Sequence, residues 1–210
     1  EVLAFSSKRK FSGAKVKFNG EKYGILLGAP EYLDEYAPMS KKQKNRVNLL
    51  TSEGKRVLLA AVLTNSNDSV KKQKPKYAKP VGIIILSNEL RVGVEKTVAY
   101  LQDSGVVIKV ISGDNPKTVK YIARQAGINN YGNVLTGNDL AKISAEKWDK
   151  KIANTTIFAR VLPEQKERLV ETLKGLGNFT GMVGDGVNDA LALKKSDLGV
   201  AMYAGAAATR

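Results

Sequence analysis

Neither cysteine nor histidine occurs among the 210 residues. The first absence excludes disulfides, thiolate nucleophiles and cysteine-ligated zinc. The second removes Ser-His-acid triads, histidine general bases and the commonest transition-metal ligand. Chemistry in this chain therefore rests on carboxylates, hydroxyls, amines, guanidiniums and backbone amides. Long apolar runs are missing too: residues 57–63 and 81–86 are the longest, far short of the roughly 20 residues that cross a bilayer as a helix. The opening segment, residues 1–11, is charged and has no signal-like apolar core, so a cytoplasmic location is expected. What remains is an ordinary globular composition, 43% hydrophobic and 26% charged, long enough for one large domain or two modest ones.

Positive charge is the composition's main excess. The net charge is +14, and residues 1–86 carry +10 of it, with 17 Lys/Arg against 7 Asp/Glu. The lysines fall in short runs at 8–10, 41–44 and 71–76, without an aromatic platform beside them. A solvated surface that attracts a polyphosphate fits this better than a nucleic-acid interface.

Two patterns divide the chain. In residues 1–86, alternation over 13–18, the turn signal Asn19-Gly20 and an apolar run over 23–27 predict a hairpin. Residues 40–53 fit an amphipathic helix ending near Gly54. Residues 57–63 read as a buried strand, 65–79 as a lysine-rich loop or linker, and 81–86 as a further strand. From residue 87 on, helix and strand alternate. Helices are expected over 92–103, 116–126 (Asn115 as N-cap, Pro116 at N1), 164–176 and 187–195; strands over 106–111, 155–159, 179–183 and 198–202. That alternation is the mark of a parallel sheet with helices on both faces, so the expected fold is a doubly wound α/β domain, residues 87–210, preceded by a smaller α+β domain, residues 1–86.

In a doubly wound sheet ligands bind beyond the carboxyl ends of the strands, and each strand here delivers polar residues at that end. Ser112-Gly113-Asp114, before a helix, offers a hydroxyl and backbone amides to a phosphate; it is equally ordinary turn chemistry. Gly184-Asp185-Gly186 puts a carboxylate on a strand tip between glycines that admit close approach, a hard oxygen donor of the kind Mg²⁺ prefers. Asp189 reads either as part of that site or as a first-turn carboxylate favoured by the helix dipole. Lys166 sits in the first turn of its helix, where the dipole disfavours a cation, so propensity does not explain it; a plain surface lysine is the alternative.

Residues 183–194, Val-Gly-Asp-Gly-Val-Asn-Asp-Ala-Leu-Ala-Leu-Lys, resemble the GDGVNDAPALK signature of the P-type cation-transporting ATPases, within the haloacid-dehalogenase-like superfamily. Other motifs follow in family order. Ser112-Gly113-Asp114 resembles TGD, Phe158-Ala159-Arg160 with Pro163 and Lys166 resembles FARxxPxxK, and Arg91 stands where DPPR has its arginine. Phe5-Ser6-Ser7 with Arg9-Lys10 resembles FSSxRK, and Gly28-Ala29-Pro30-Glu31 resembles KGAPE. The resemblance covers nearly the whole chain. It implies that residues 1–86 are the later part of a nucleotide-binding domain and 87–210 most of a phosphorylation domain. ATP and Mg²⁺ would be the cofactors. Phe5 would stack on adenine, with Lys10, Arg56, Arg91 and Arg160 around the nucleotide. Ser112, Gly113, Asp114 and Asn188 would serve phosphoryl transfer, Lys166 would neutralise its charge, Asp185 would ligate Mg²⁺, and Asp189 would orient Lys166. The partners implied are ATP and the transmembrane and actuator domains of a full-length pump at the cytoplasmic face of the cell membrane, with no nucleic acid.

The sequence also departs from the family. The DKTGT motif, whose aspartate is the phosphorylated nucleophile, does not occur here, so the chain resembles a portion of a pump that would be inactive in covalent catalysis alone. Leu27 replaces the lysine of KGAPE, Leu191 the proline after GVNDA, Val183 the threonine before GDG, and Asn88 the aspartate of DPPR. The segments around Leu27 and Leu191 resemble pumps of the calcium or related divalent-metal type. A soluble haloacid-dehalogenase-like phosphatase and a basic nucleic-acid-binding module remain the alternatives.

Overall fold

A computed structural model describes residues 1–72, 76–87, 89–184 and 187–202. The chain forms two compact units, Glu1–Glu89 and Leu90–Arg210.

In the first unit, strands β1 (Val2–Leu3), β2 (Phe11–Phe18), β3 (Glu21–Gly28), β4 (Arg56–Leu63) and β5 (Ala78–Leu86) join in that order into an antiparallel sheet. The β2–β3 hairpin turns at Asn19-Gly20, where both residues have positive φ, as a two-residue turn of this type requires. Between the strands lie α1 (Pro30–Leu33) and α2 (Lys41–Ser52). A reciprocal cap starts α2: the Gln43 amide donates to Ser40 Oγ, and the Ser40 amide donates to Gln43 Oε1. It stops at Gly54, whose φ of 79° lets the Lys55 amide donate back to the Leu50 carbonyl.

Odd-numbered residues of β4 point inward. Leu59, Ala61 and Leu63 pack with Phe11, Leu26 and Leu33 in the unit's core. The lysine-rich stretch contributes to the first unit's core rather than linking units: Val70 and Tyr77 are buried there, and the Tyr77 ring meets Tyr36 edge-on at 6.0 Å. The following strand starts at Ala78, earlier than the apolar run suggests. It accommodates Pro80 where the register with β4 shifts between Ala60 and Ala61, the kind of irregularity at which proline is tolerated in a sheet. The face opposite the core is apolar as well: Val16, Ile84 and Leu86 stand exposed on it.

The second unit alternates α3 (Val94–Asp103), β6 (Val110–Ile111), α4 (Pro116–Gln125), β7 (Val134–Thr136), α5 (Gly137–Leu140), α6 (Ala145–Asn154), β8 (Ile157–Ala159), α7 (Pro163–Gly175), β9 (Gly181–Gly184), a 3₁₀ turn (Val187–Asp189), α8 (Ala190–Lys195) and β10 (Leu198–Ala201). Among the described residues all its strand pairs are parallel. In the sheet ordered β6-β8-β7, β8 shows helices on both faces. Ile157 and Ala159 pack with Val98 of α3 and Val119 and Ala123 of α4. Phe158 packs the other way with Leu140, Trp148, Ile152 and Leu169 of α5, α6 and α7. This is the expected α/β architecture.

The sequence reading lacks β7, α5 and α6, and three of its other details differ. The strand expected over 106–111 contracts to Val110–Ile111, since its ladder with β8 covers only those two residues; Val106 and Val107 are exposed. The helix expected over 187–195 begins as a 3₁₀ turn. Among the described residues the parallel strands form two sheets, β6-β8-β7 and β9-β10, in place of one.

Candidate active site

The turns that follow β6, β7, β8 and β9 are joined by a chain of side-chain contacts. Ser112-Gly113-Asp114 leaves β6 half-buried, and its backbone stays tied to the strand beside it. The Ser112 amide donates to the Phe158 carbonyl at 2.8 Å, and the Val161 amide donates to the Ser112 carbonyl at 3.1 Å. The serine hydroxyl accepts from the Asp114 amide at 3.1 Å, and the Asn115 side chain caps α4 by accepting from the Lys117 amide at 2.9 Å. Of the amides that the sequence offered to a phosphate, that of Ser112 is tied to β8 and that of Asp114 to the serine hydroxyl; the hydroxyl, a rotor with its own proton, keeps a donor.

Arg160 follows β8 with φ of 54°, a left-handed conformation uncommon for a side chain of this size. Its guanidinium donates to the Gly113 carbonyl at 2.7 Å, and its amide donates to the Asp114 carbonyl at 3.2 Å. The structure thus places Arg160 as a brace on the Ser112–Asp114 turn. Lys166, on the first turn of α7, meets Asp189 in an ion pair of 2.5 Å, with the two side chains only 11% and 10% exposed. Here lies the reason for a lysine at a helix start: its countercharge arrives from the 3₁₀ turn after β9. Gly184 makes room for that countercharge, because a Cβ there would fall 2.6 Å from the Asp189 Cβ. The close approach that glycine permits at this point is to Asp189.

Asp185 and Gly186, the tip of the motif and the expected Mg²⁺ site, lie outside the described residues, as does Asn88. Among the described residues no group of three acidic side chains converges as a metal site, and Asp189 is committed to Lys166. Asn188 is exposed, as is Arg91.

In the first unit the register brings residues 5–10 and 28–31 together. Gly28 pairs with Phe11, and the Ala29 amide donates to the Lys10 carbonyl at 3.0 Å. Residues 6–10 are held in a turn: the Lys10 amide donates to the Ser6 carbonyl at 2.7 Å, and the Arg9 guanidinium lies over the Phe11 ring. Lys10 is itself buried. Phe5 is 60% exposed, outside the core. Leu27 and Arg56 share the sheet face opposite the core.

Sequence reasoning missed Gln165 and Gly137. Gln165 Nε2 donates to the Gly137 carbonyl at 2.9 Å, and its Oε1 accepts from the Leu162 amide at 3.0 Å. The available signal was the spacing of Gln165 three residues after an N-cap, together with Thr136-Gly137-Asn138-Asp139, where Thr136 and Asp139 cap each other. The Thr136 hydroxyl and amide hold the Asp139 carboxyl below its ordinary pKa.

A family model described as haloacid dehalogenase-like hydrolase matches residues 5–197. Among curated proteins, a "Probable cation-transporting ATPase" of Streptococcus pneumoniae is 38% identical over 99% of this chain and 25% of its own length. A calcium-transporting ATPase of Mycobacterium tuberculosis is 35% identical over 98% of the chain and 24% of its own length. A calcium-transporting ATPase of Schizosaccharomyces pombe is 31% identical over 95% and 24%. The chain spans about a quarter of the length of these relatives.

Proposed function

The chain belongs to the haloacid dehalogenase-like hydrolases, and from that premise we propose that it is the ATP-handling portion of a P-type cation pump, moving calcium or another divalent metal. The observation that carries the reading is the buried Lys166–Asp189 pair, in a network that also includes the Ser112–Asp114 turn. Phosphoryl transfer asks chiefly for positioning and for fixed positive charge around developing negative charge. In this reading the Ser112 hydroxyl and the Gly113 backbone hold the transferred phosphoryl group, with Asp114 and Asn188 beside it. Lys166 gives one ammonium hydrogen to Asp189 and offers the others to phosphoryl oxygens. Phe5 stacks on the adenine, with Lys10 and Arg56 drawing in the phosphates. Mg²⁺ arrives with ATP as part of the substrate, and Asp185 is the residue of this chain that would hold it.

The nucleophilic aspartate belongs to a strand contributed by another part of the full polypeptide. Two observations support this. The chain spans about a quarter of the relatives it matches, and among the described residues β6 and β9 each pair on one side only. The transmembrane and actuator domains of the same polypeptide, at the cytoplasmic face of the membrane, are the partners this reading requires.

The test is phosphorylation of the complete protein in membrane vesicles by γ-labelled ATP. A hydroxylamine-labile phosphoenzyme that is lost in Asp185→Asn, with ATP-driven calcium uptake, is expected. Absence of phosphoenzyme, together with hydrolysis of a small phosphoester by this chain alone, overturns the reading in favour of a soluble phosphatase.

A further inference from the structure

We propose that Gln165 is a positioning residue: its side-chain amide clamps the turn after β7 to the loop after β8, and so fixes where Arg160 and Lys166 stand around the phosphoryl-handling edge. This rests on the reading above for what that edge does, but the clamp itself rests on geometry.

A glutamine three residues into a helix needs only its oxygen to cap the N-terminus, and Oε1 does this by accepting from the Leu162 amide at 3.0 Å. The other half of the amide turns away from α7 and donates to the Gly137 carbonyl at 2.9 Å. Capping alone does not account for that second contact. Gly137 is buried, and a Cβ on it would fall 2.4 Å from the Arg160 carbonyl and 2.7 Å from Gln165 Oε1. No side chain larger than hydrogen fits between the two turns while the clamp is closed. The clamped segment, residues 160–166, carries both groups that reach out of it: the Arg160 guanidinium to the Gly113 carbonyl, and the Lys166 ammonium to Asp189. Arg160 is also the residue with left-handed backbone, a conformation of the kind that persists only where its surroundings over-determine it. The Gln165–Gly137 bond supplies part of that determination.

Gln165→Glu separates the two roles. A carboxylate keeps the acceptor for the Leu162 amide and suits a helix N-terminus, but it has no hydrogen for the Gly137 carbonyl. If Gln165 only caps α7, Gln165→Glu leaves both stability and activity as they were. If it clamps, the urea midpoint read from Trp148 fluorescence holds or rises, while the phosphoenzyme formation rate of the complete protein falls about tenfold or more and the KM for ATP stays within about twofold. Gly137→Ala, pushing on the same contact from the other side, is expected to lower the rate at a similar KM and, because its Cβ would fall 2.4 Å from the Arg160 carbonyl, to lower the urea midpoint as well. A Gln165→Glu rate within about twofold of wild type overturns the proposal. Should the wild-type protein form no phosphoenzyme, the reading of the site fails instead, and the clamp is judged on this chain by amide NMR. Gln165→Glu must then shift the Ser112, Gly113 and Asp114 resonances, and unchanged shifts there overturn it.

Discussion

Replacing Asp189 by asparagine tests whether the Lys166 pair is as consequential as its burial suggests. At 2.5 Å and an effective dielectric of about 20, the Coulomb attraction is about 7 kcal/mol, most of it offset by the cost of taking both ions out of water. Breaking such a pair from one side leaves the other charge buried without a counterion, which costs about 3–5 kcal/mol. Asparagine keeps an acceptor for the ammonium, so the lower end, about 3 kcal/mol, is expected. The assay is urea unfolding followed by Trp148, the one tryptophan in the chain. Its ring lies under the Arg168 guanidinium at 3.6 Å and its Nε1 donates to Thr172 Oγ1 at 2.8 Å, so its emission reports on the unit that contains the pair. With a slope of about 2 kcal/mol per molar urea, the midpoint should fall by about 1.5 M. Lys166→Met combined with Asp189→Asn should recover most of the loss, because no lone charge remains. Glu171→Gln is the control: it breaks a Lys195 pair of nearly the same length, 2.6 Å, in which both partners are almost half exposed, and should cost less than about 0.5 kcal/mol. A shift for Asp189→Asn no larger than the control's would refute the argument from burial.

Phe11→Ala, which empties a site only 1% exposed beneath Tyr36 and Arg9, should cost about 3–4 kcal/mol in the first unit by circular dichroism in urea. Phe5→Ala should leave that stability within about 0.5 kcal/mol, since the ring is exposed, while weakening ATP binding in an NMR titration; an unchanged titration removes Phe5 from the nucleotide site. Asp197 accepts from the Thr180 amide at 2.8 Å and pairs with Lys174, which draws its pKa down to about 2. Its contribution is therefore full above about pH 4 and is lost as the pH falls toward 2, so Asp197→Asn should flatten the acid limb of a stability–pH curve over that window.

Much of this architecture could be read where a local signal and the tertiary outcome agree. Asn19-Gly20 announced its hairpin, Gly54 the end of α2, and Asn115-Pro116 the beginning of α4. The stretch from Val134 to Asn154 escaped for a physical reason. β7 is too short to show a period, and α6 buries only Trp148 and Ile152 amid charged residues. Lys166 was legible as misplaced, because helix electrostatics argue against it, and its partner Asp189 was already suspected of orienting it. The capping pair of Thr136 and Asp139 marks the helix start at Gly137, but the need for glycine there is set by a carbonyl of a loop 23 residues away in sequence. The reach of the strand before Ser112 was overestimated because apolar, β-branched residues signal strand preference but say nothing of whether a neighbour exists to pair with.

That last point has a practical side. β6 and β9 are each hydrogen-bonded along one margin among the described residues. On the reading proposed above, a synthetic peptide carrying an Asp-Lys-Thr strand would find donors and acceptors already arrayed for it on those margins, and its docking could be followed as a complementation reaction in solution.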